Sequence, residues 1–387
     1  MKKILKNSGV QSFLASLVCI ILGMLIGYIV LLIIEPSGAG EAIVAVAKNF
    51  LGYSKKSMQM KYLGNTLTKT APLLMCSLSI IFAYKVGLFN IGAAGQYVIG
   101  SCACLYGALV LHLSWIPCLL LAAVAGGIFG AVTGMLKAYC NVNEVISGIM
   151  LNWIGLYFTN MVLVQAKDAA SAYTYALKSG GKAAILPSLG LKSVFGKNQY
   201  VGIAIPLAIL FALIVWVVLE KTKLGYELKA TGFNKHAAKY CGMAEKRNII
   251  LSLVCSGILA GLAGSFMYQT DMEQWQVTIA SVPAMGFNGI AAAFLGGLNP
   301  IGAIFSSFFI QHITDGGSHV DLNVYCAQIS ELISALIIYL CGFVGFMKYV
   351  MDSRLKKAEE KAMENSNTEA SDKQVPDAET NEKGGNK

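Results

Sequence analysis

Residues Ser12–Ile34 read SFLASLVCIILGMLIGYIVLLII, a run with no charged side chain and enough length to cross the hydrocarbon core of a bilayer as one helix. Lys2, Lys3 and Lys6 precede it, as in a signal peptide. The run is too long for that, and no small-residue cleavage site follows cleanly. It reads as a first membrane span with a cytoplasmic amino terminus. Working outward, comparable stretches fall at about Asn65–Tyr84, Leu88–Leu111, Trp115–Tyr139, Asn143–Gln165, Tyr200–Leu219, Ile249–Tyr268, Ile279–Gly297, Ile301–Thr314 and Tyr325–Met347. The expectation is an all-α integral membrane protein of about ten transmembrane helices over residues 1–351, with both termini cytoplasmic. The glycine-rich stretch 279–314 allows two short spans or a re-entrant pair.

The composition points the same way. Of 387 residues 56% are apolar and only 13% charged, mean hydropathy is +0.61, and 40 are glycine. A soluble chain carries roughly 25% charge, so an ordinary soluble enzyme is excluded. The last 36 residues hold seven Lys/Arg and nine Asp/Glu; the first 351 therefore carry 23 basic and 12 acidic residues, a net +11. That excess suits cytoplasmic loops beside anionic membrane lipid better than nucleic acid. Residues 352–387 have almost no large apolar side chains and read as a disordered, charged cytoplasmic tail. The loop at about 221–247 holds Lys221, Lys223, Lys229, Lys235, Lys239, Lys246 and Arg247 and should be cytoplasmic; the stretch at about 166–199, with Pro187 and several glycines, should be external and fold as a small cap. The ten cysteines show no metal-ligand spacing and read as packing residues.

Polar residues inside apolar spans are costly and turn inward, so they are the candidates for function. Glu144, Gly148, Asn152, Gly155 and Thr159 lie within an arc of roughly 80° on one helix. Such a strip either lines a translocation path or makes a close helix contact with interhelical hydrogen bonds. Asn143 and Glu144 stand at its mouth, as a gate or a structural pair. Asn90 and Gln96 bracket a glycine-broken helix start, and Asn288, between Gly286 and Gly289, is the comparable later position; each suits solute contact or a structural role. Gly126, Gly130 and Gly134, and Gly257 and Gly261, recur at four-residue spacing and read as helix-packing faces. Phe89–Ala94 (FNIGAA) is echoed by Phe287–Ala292 (FNGIAA) 198 residues on, which would suit an inverted repeat of five plus five helices.

No catalytic set and no metal site is legible: His112, His236, His312 and His319 are scattered, and no GxxxxGK[ST] frame exists to cradle nucleotide phosphates. The chain is expected to be no enzyme and to bind no cofactor itself. The run Lys223–Met243 offers a short helix in which Asn234 caps, Ala237 and Ala238 favour helix and Gly242 terminates, suited to docking into a groove on a cytosolic partner.

Three segments, FNIGAAGQ (Phe89–Gln96), NEVISGIMLNWI (Asn143–Ile154) and LGYELKATGFNKHAAKYCGM (Leu224–Met243), resemble the signatures of bacterial ABC importer permeases of the branched-chain amino acid and simple-sugar (ribose-type) group, and most of all its nucleoside branch. The resemblance covers about residues 10–350. It implies a type II-like ten-helix permease bundle and a second permease subunit. It also implies cytoplasmic ATPase subunits that hold ATP and Mg, and an extracytoplasmic substrate-binding lipoprotein. It further implies that Glu227, Gly232, Asn234, Ala237, Ala238 and Gly242 lie in a coupling helix region that contacts the ATPase. Ala94 departs from the family motif, which more often has an acidic residue there. The expected function is import of nucleosides or a simple sugar, with ATP binding elsewhere moving the 221–247 loop and tilting the spans. The alternatives are an ion-coupled secondary transporter of a small polar solute, for which Glu144 and Glu331 are the plausible embedded carboxylates, and a membrane-embedded enzyme.

Overall fold

The computed structural model describes residues 8–320 and, beyond them, 324, 325, 332, 335, 336, 339, 340, 343, 346, 347, 349, 350, 353 and 354. The expected tenth span at 325–347, Glu331 and the tail from 352 thus fall largely outside the described residues.

Helices α1 (Ser8–Ile34) and α2 (Ala39–Lys48) are followed by the long α3 (Lys56–Tyr84), then α4 (Ala93–Leu109), α5 (Trp115–Cys140) and α6 (Glu144–Leu163). Two four-residue helices, α7 (Leu177–Gly180) and α8 (Leu191–Val194), lie in the expected cap. Then come α9 (Ala204–Lys221), α10 (Lys223–Phe233), α11 (Lys235–Tyr240), α12 (Glu245–Tyr268), α13 (Met285–Leu295) and α14 (Pro300–Gly316). Boundaries follow local chemistry. Asn141 adopts the left-handed conformation (φ 51°) that closes α5, and Asn143 opens α6 by accepting the Val145 amide at 2.8 Å.

Six of these helices are long and apolar enough to cross a membrane: α1, α3, α5, α6 with its short extension, α9 and α12. The count differs from the nine spans expected before residue 320. Helix α13 has eleven residues, roughly 16 Å of rise against a core of about 30 Å. Helices α4 and α14 have seventeen each. Non-helical segments, 88–92 before α4 and 279–284 before α13, consume residues that hydropathy alone assigns to spans.

Helices α3 and α12 are buried along most of their length and form the centre; α1, α5, α6 and α9 bury a third or less and turn the rest outward. Close packing rests on glycine. A Cβ on Gly126 would run into the Gly257 carbonyl oxygen and lie 2.8 Å from Gly261 Cα, and one on Gly130 would run into the Leu253 carbonyl. The two expected glycine faces therefore meet each other, and α4 joins them where Gly100 abuts Gly261.

The segment 167–203, most of which was expected to be external, carries α7 and α8. It is clamped to residues 269–279 by the pairing of Tyr173 with Gln276 and by the Leu186 amide donating to Gln269 O at 3.0 Å. Cys19, Cys76, Cys102, Cys104 and Cys118 are buried and Cys255 half-buried, but Cys140 and Cys241 are exposed, because each stands just where its helix ends.

Candidate functional site

Three groups of residues stand out. The first is the α10–α11 element. Thr222 opens α10 by accepting the Gly225 amide at 3.2 Å, and Asn234 opens α11 by accepting the His236 and Ala237 amides, both at 3.0 Å. Gly242 follows with φ +78°. Ion pairs brace the element against its neighbours, Glu227 with Arg247 and Lys229 with Glu220, both at 2.9 Å, and Glu227 also pairs within α10 with Lys223 at 3.8 Å. Asn248 on α12 donates to Thr231 Oγ1 at 2.9 Å. Of the six residues singled out from the sequence, Ala238 is buried, and Gly232 abuts Val86 and Gly87, with a built Cβ 2.8 Å from the Gly87 amide nitrogen. Glu227, Gly232 and Ala238 hold the element in place, whereas Asn234, Ala237 and Gly242 are exposed. Sequence reading missed the exposed aromatic surface of this element: Phe233 at 95%, Tyr240 at 93% and Tyr226 at 66%. The signal was available as aromatic residues in a run otherwise rich in lysine.

The second group is a buried polar network joining α3, α4 and α12. Asn90 Nδ2 donates to Gln96 Oε1 at 2.8 Å and to Ser256 Oγ at 2.6 Å, and Ser256 Oγ donates to Ser79 O at 2.7 Å. Ser79 and Ser256 hydroxyls lie 2.8 Å apart. Beside it runs the α6 strip, in which Gly148, Asn152, Gly155 and Thr159 meet α4 or the turn before it. Asn152 Oδ1 accepts the Gly95 amide at 2.7 Å, Asn152 Nδ2 donates to Ile91 O at 3.1 Å, and Thr159 Oγ1 reaches Val98 O at 3.5 Å. Gly148 abuts Gly92, and Gly155 lies against Gly95 O and Ile99. This is a helix seam with interhelical hydrogen bonds, one of the two arrangements the spacing allows. Glu144 pairs with Lys137 at 2.8 Å across the α5–α6 turn, and Asn143 serves as the cap. Asn152→Leu leaves the Gly95 amide and Ile91 carbonyl unpaired in a buried seam. It is expected to cost about 1–3 kcal/mol, and the melting temperature of the purified protein should fall, with Asn152→Asp retaining the acceptor half.

Asn288 is half-buried on α13 between two close contacts: Gly286 lies against Ala94, and Gly289 against Cys76 and Ser77. A built Cβ on Gly286 would be 2.8 Å from the Ala94 Cβ, so the methyl fills the space available. The echoed segments also differ in conformation: residues 89–92 are non-helical, and 287–292 lie within α13.

The third group was not foreseen. Lys69, on the central α3, lies 3.4 Å from Asp315 Oδ1 on α14. Enclosure by the surrounding protein pushes the Glu273 carboxyl above its ordinary pKa; Lys69 opposes that shift and Asp315 adds to it. Asp315 is largely enclosed, as are Asp271, which pairs with Lys178 at 3.4 Å, and Glu144, which pairs with Lys137 at a helix turn. The signal was Lys69, a charge within a hydroxyl-rich apolar helix. An apolar groove lined by Ile99, Cys102, Ala103, Tyr106, Ala125, Phe158 and Val162 lies to one side, too apolar to guide a polar solute. Among the described residues no group of three or more His, Cys, Asp or Glu side chains stands close enough to hold a metal ion.

Residues 62–342 match the family described as branched-chain amino acid transport system permease component. The guanosine ABC transporter permease protein NupP of Bacillus subtilis is 31% identical over 89% of this chain and 97% of its own. The nucleoside ABC transporter permease protein NupB of Lactococcus lactis is 31% identical over 91% and 95%. The glucose ABC transporter permease protein TsgB13 of Haloferax volcanii is 28% identical over 74% and 77%. No solved structure matches the chain significantly. With six helices fit to cross a bilayer and a match over most of its length, the chain is a multi-pass membrane protein and belongs to the branched-chain amino acid transport system permease family.

Proposed function

We propose that the chain is the permease subunit of an ATP-driven importer in a bacterial cell membrane. Its cargo is a nucleoside, or failing that a simple sugar, as the names of its near-full-length relatives suggest. The observation that carries the coupling half of this reading is the contact of Gly232 with Val86 and Gly87. The 221–247 segment is the cytoplasmic handle, a separate ATPase holding ATP and Mg grips it, and movement of α10 presses on the turn that leads into Asn90. From Asn90 the displacement passes through Ser79, Ser256 and Gln96 to the seam between α4 and α6. Asn90, Gln96, Asn143, Glu144, Asn152, Thr159 and Asn288 then border the path that opens as this seam shifts. A second permease subunit and an extracytoplasmic binding lipoprotein complete the transporter, with the 166–199 cap on the lipoprotein side. Ten crossings, cytoplasmic termini and a five-plus-five inverted repeat belong to the same reading; superposing the halves of an experimental structure in opposite sense tests the repeat.

The grip is tested at its aromatic residues. Interface aromatics contribute about 2 kcal/mol or more each, roughly a thirtyfold change in association. Phe233→Ala combined with Tyr240→Ala should leave the protein inserted but strip the ATPase from it in pull-down and abolish uptake of labelled guanosine. Full ATPase capture by the double variant refutes the docking role. Uptake that survives loss of every cognate ATPase but collapses with an ionophore refutes ATP coupling.

A further inference from the structure

Residues 48–61, from the end of α2 to the first turns of α3, carry Lys48, Lys55, Lys56 and Lys61 and no aspartate or glutamate. Residues 188–203 carry Lys192 and Lys197, again with no acidic residue. The fold pins these two stretches together. Asn198 Nδ2 donates to the Lys61 carbonyl and to Asn65 Oδ1, both at 2.7 Å. Gly196, at φ +61°, packs on the start of α3: a built Cβ would run into the Ser57 carbonyl oxygen and lie 3.2 Å from the Lys61 nitrogen. Lys197 therefore stands beside the first turns of α3. Five of the six lysines are exposed and Lys192 is half-buried. None of the six forms an ion pair among the described residues. The amino end of α3 adds to the same positive potential, since no side chain caps it and its first turn holds no acidic residue.

Like charges gathered on one surface repel, and an anionic partner that supplies the missing charge relieves the repulsion. The chain itself supplies that charge in its other basic stretch, where Glu220 and Glu227 pair with Lys229, Lys223 and Arg247. Here it supplies none. The position favours a protein over lipid headgroups as the partner. Helix α3 has 29 residues, a rise of roughly 43 Å against a hydrocarbon core of about 30 Å. Its Tyr84 end leads into the turn that meets Gly232 of the 221–247 element. Counting back about 20 residues from there fills the core and reaches Asn65. Residues 56–64 then project roughly 13 Å past it, against a headgroup layer of about 5–8 Å on that side. The lysines at the tip of α3 thus stand in the aqueous phase, with Lys197 held alongside.

We propose that this lysine surface docks an acidic face of the extracytoplasmic binding lipoprotein and steers it onto the bundle by charge. This rests on the importer reading above, which puts this end of α3 outside the cell; there the lysines also run against the usual cytoplasmic excess of basic residues. The assembled transporter is reconstituted in nanodiscs of zwitterionic lipid, and the probe is the soluble form of the lipoprotein with which it takes up guanosine. Association is followed by surface plasmon resonance. The wild-type on-rate should fall about tenfold or more between about 50 mM and about 500 mM NaCl. The combined variant K55E/K56E/K197E should associate about tenfold or more slowly than wild type at low salt, with K55Q/K56Q/K197Q between them. The three side chains are exposed, so both variants should elute as wild type does on size exclusion. Wild-type association by the glutamate variant, or wild-type association indifferent to salt, overturns the dock. So does a glutamate variant whose thermal stability changes only in phosphatidylglycerol discs while lipoprotein association stays untouched, the result expected of a headgroup contact. Uptake is measured in parallel. If no lipoprotein supports uptake of any nucleoside or sugar, the importer reading fails and the dock with it; uptake through a lipoprotein that ignores the substitutions overturns the dock alone.

Discussion

Gly232→Leu should abolish uptake while leaving the protein in the membrane at normal abundance. A Cβ at this position would run into the Val86 carbonyl carbon and lie 2.8 Å from the Gly87 nitrogen, and both neighbours are backbone, which cannot rotate away. Gly87 has φ +72° and so cannot be replaced by a larger residue that would reshape the turn in compensation. The α10 end must lift or the 85–88 turn must move. Either event disturbs the approach to Asn90, three residues beyond Gly87. Overpacking of this kind costs about 1–3 kcal/mol, and its whole effect falls on the contact proposed to carry movement from the ATPase. Transport-coupled ATP hydrolysis, measured against the basal rate, should fall to baseline; normal uptake by this variant would exclude the contact as a transmission point. Ala238→Leu, at a buried position of α11, should act in the same direction.

Gly130→Leu combined with Gly126→Leu should prevent the bundle from forming at all. The two positions face carbonyl oxygens of Leu253 and Gly257 on the central α12, and with Gly261 also abutting Ala122 the whole seam depends on backbone-to-backbone contact. Inserting two leucines separates the helices along that seam and exposes polar backbone contacts to neighbours that cannot satisfy them. At about 1–3 kcal/mol or more for each insertion, the loss removes a large part of a total stability of about 5–15 kcal/mol. Detergent-solubilised protein should elute as aggregate on fluorescence-detected size exclusion. Gly40→Leu, where nothing lies within 4 Å of the added Cβ, is the control that should elute normally.

Much of this bundle was legible in local sequence. The span at Trp115–Tyr139 matches α5 to within a residue, and the capping role of Asn234 is realised as written, because hydropathy, caps and glycine stops act over a few neighbouring residues. The span count was less legible. Residues 279–284 are apolar enough to pass for helix, but Pro283 and the ties of the preceding segment to the cap leave them non-helical, and α13 starts late. Helix spacing put Asn152 and Thr159 on one face without saying what that face meets. Period alone cannot distinguish a helix seam from a solute path, since both select small and polar residues.

From the amino-acid order alone came the membrane class, the family and the position of the basic 221–247 stretch, since each is carried by contiguous residues. Only the folded chain decided which polar groups are spent on one another and which remain available. Asn90 finds Ser256 across 166 residues, and Lys69 finds Asp315 across 246. Partnerships over such separations depend on how helices stack, so no window of sequence contains them. The glycine seam around α12 lets α4, α5 and α12 approach closely along their backbones.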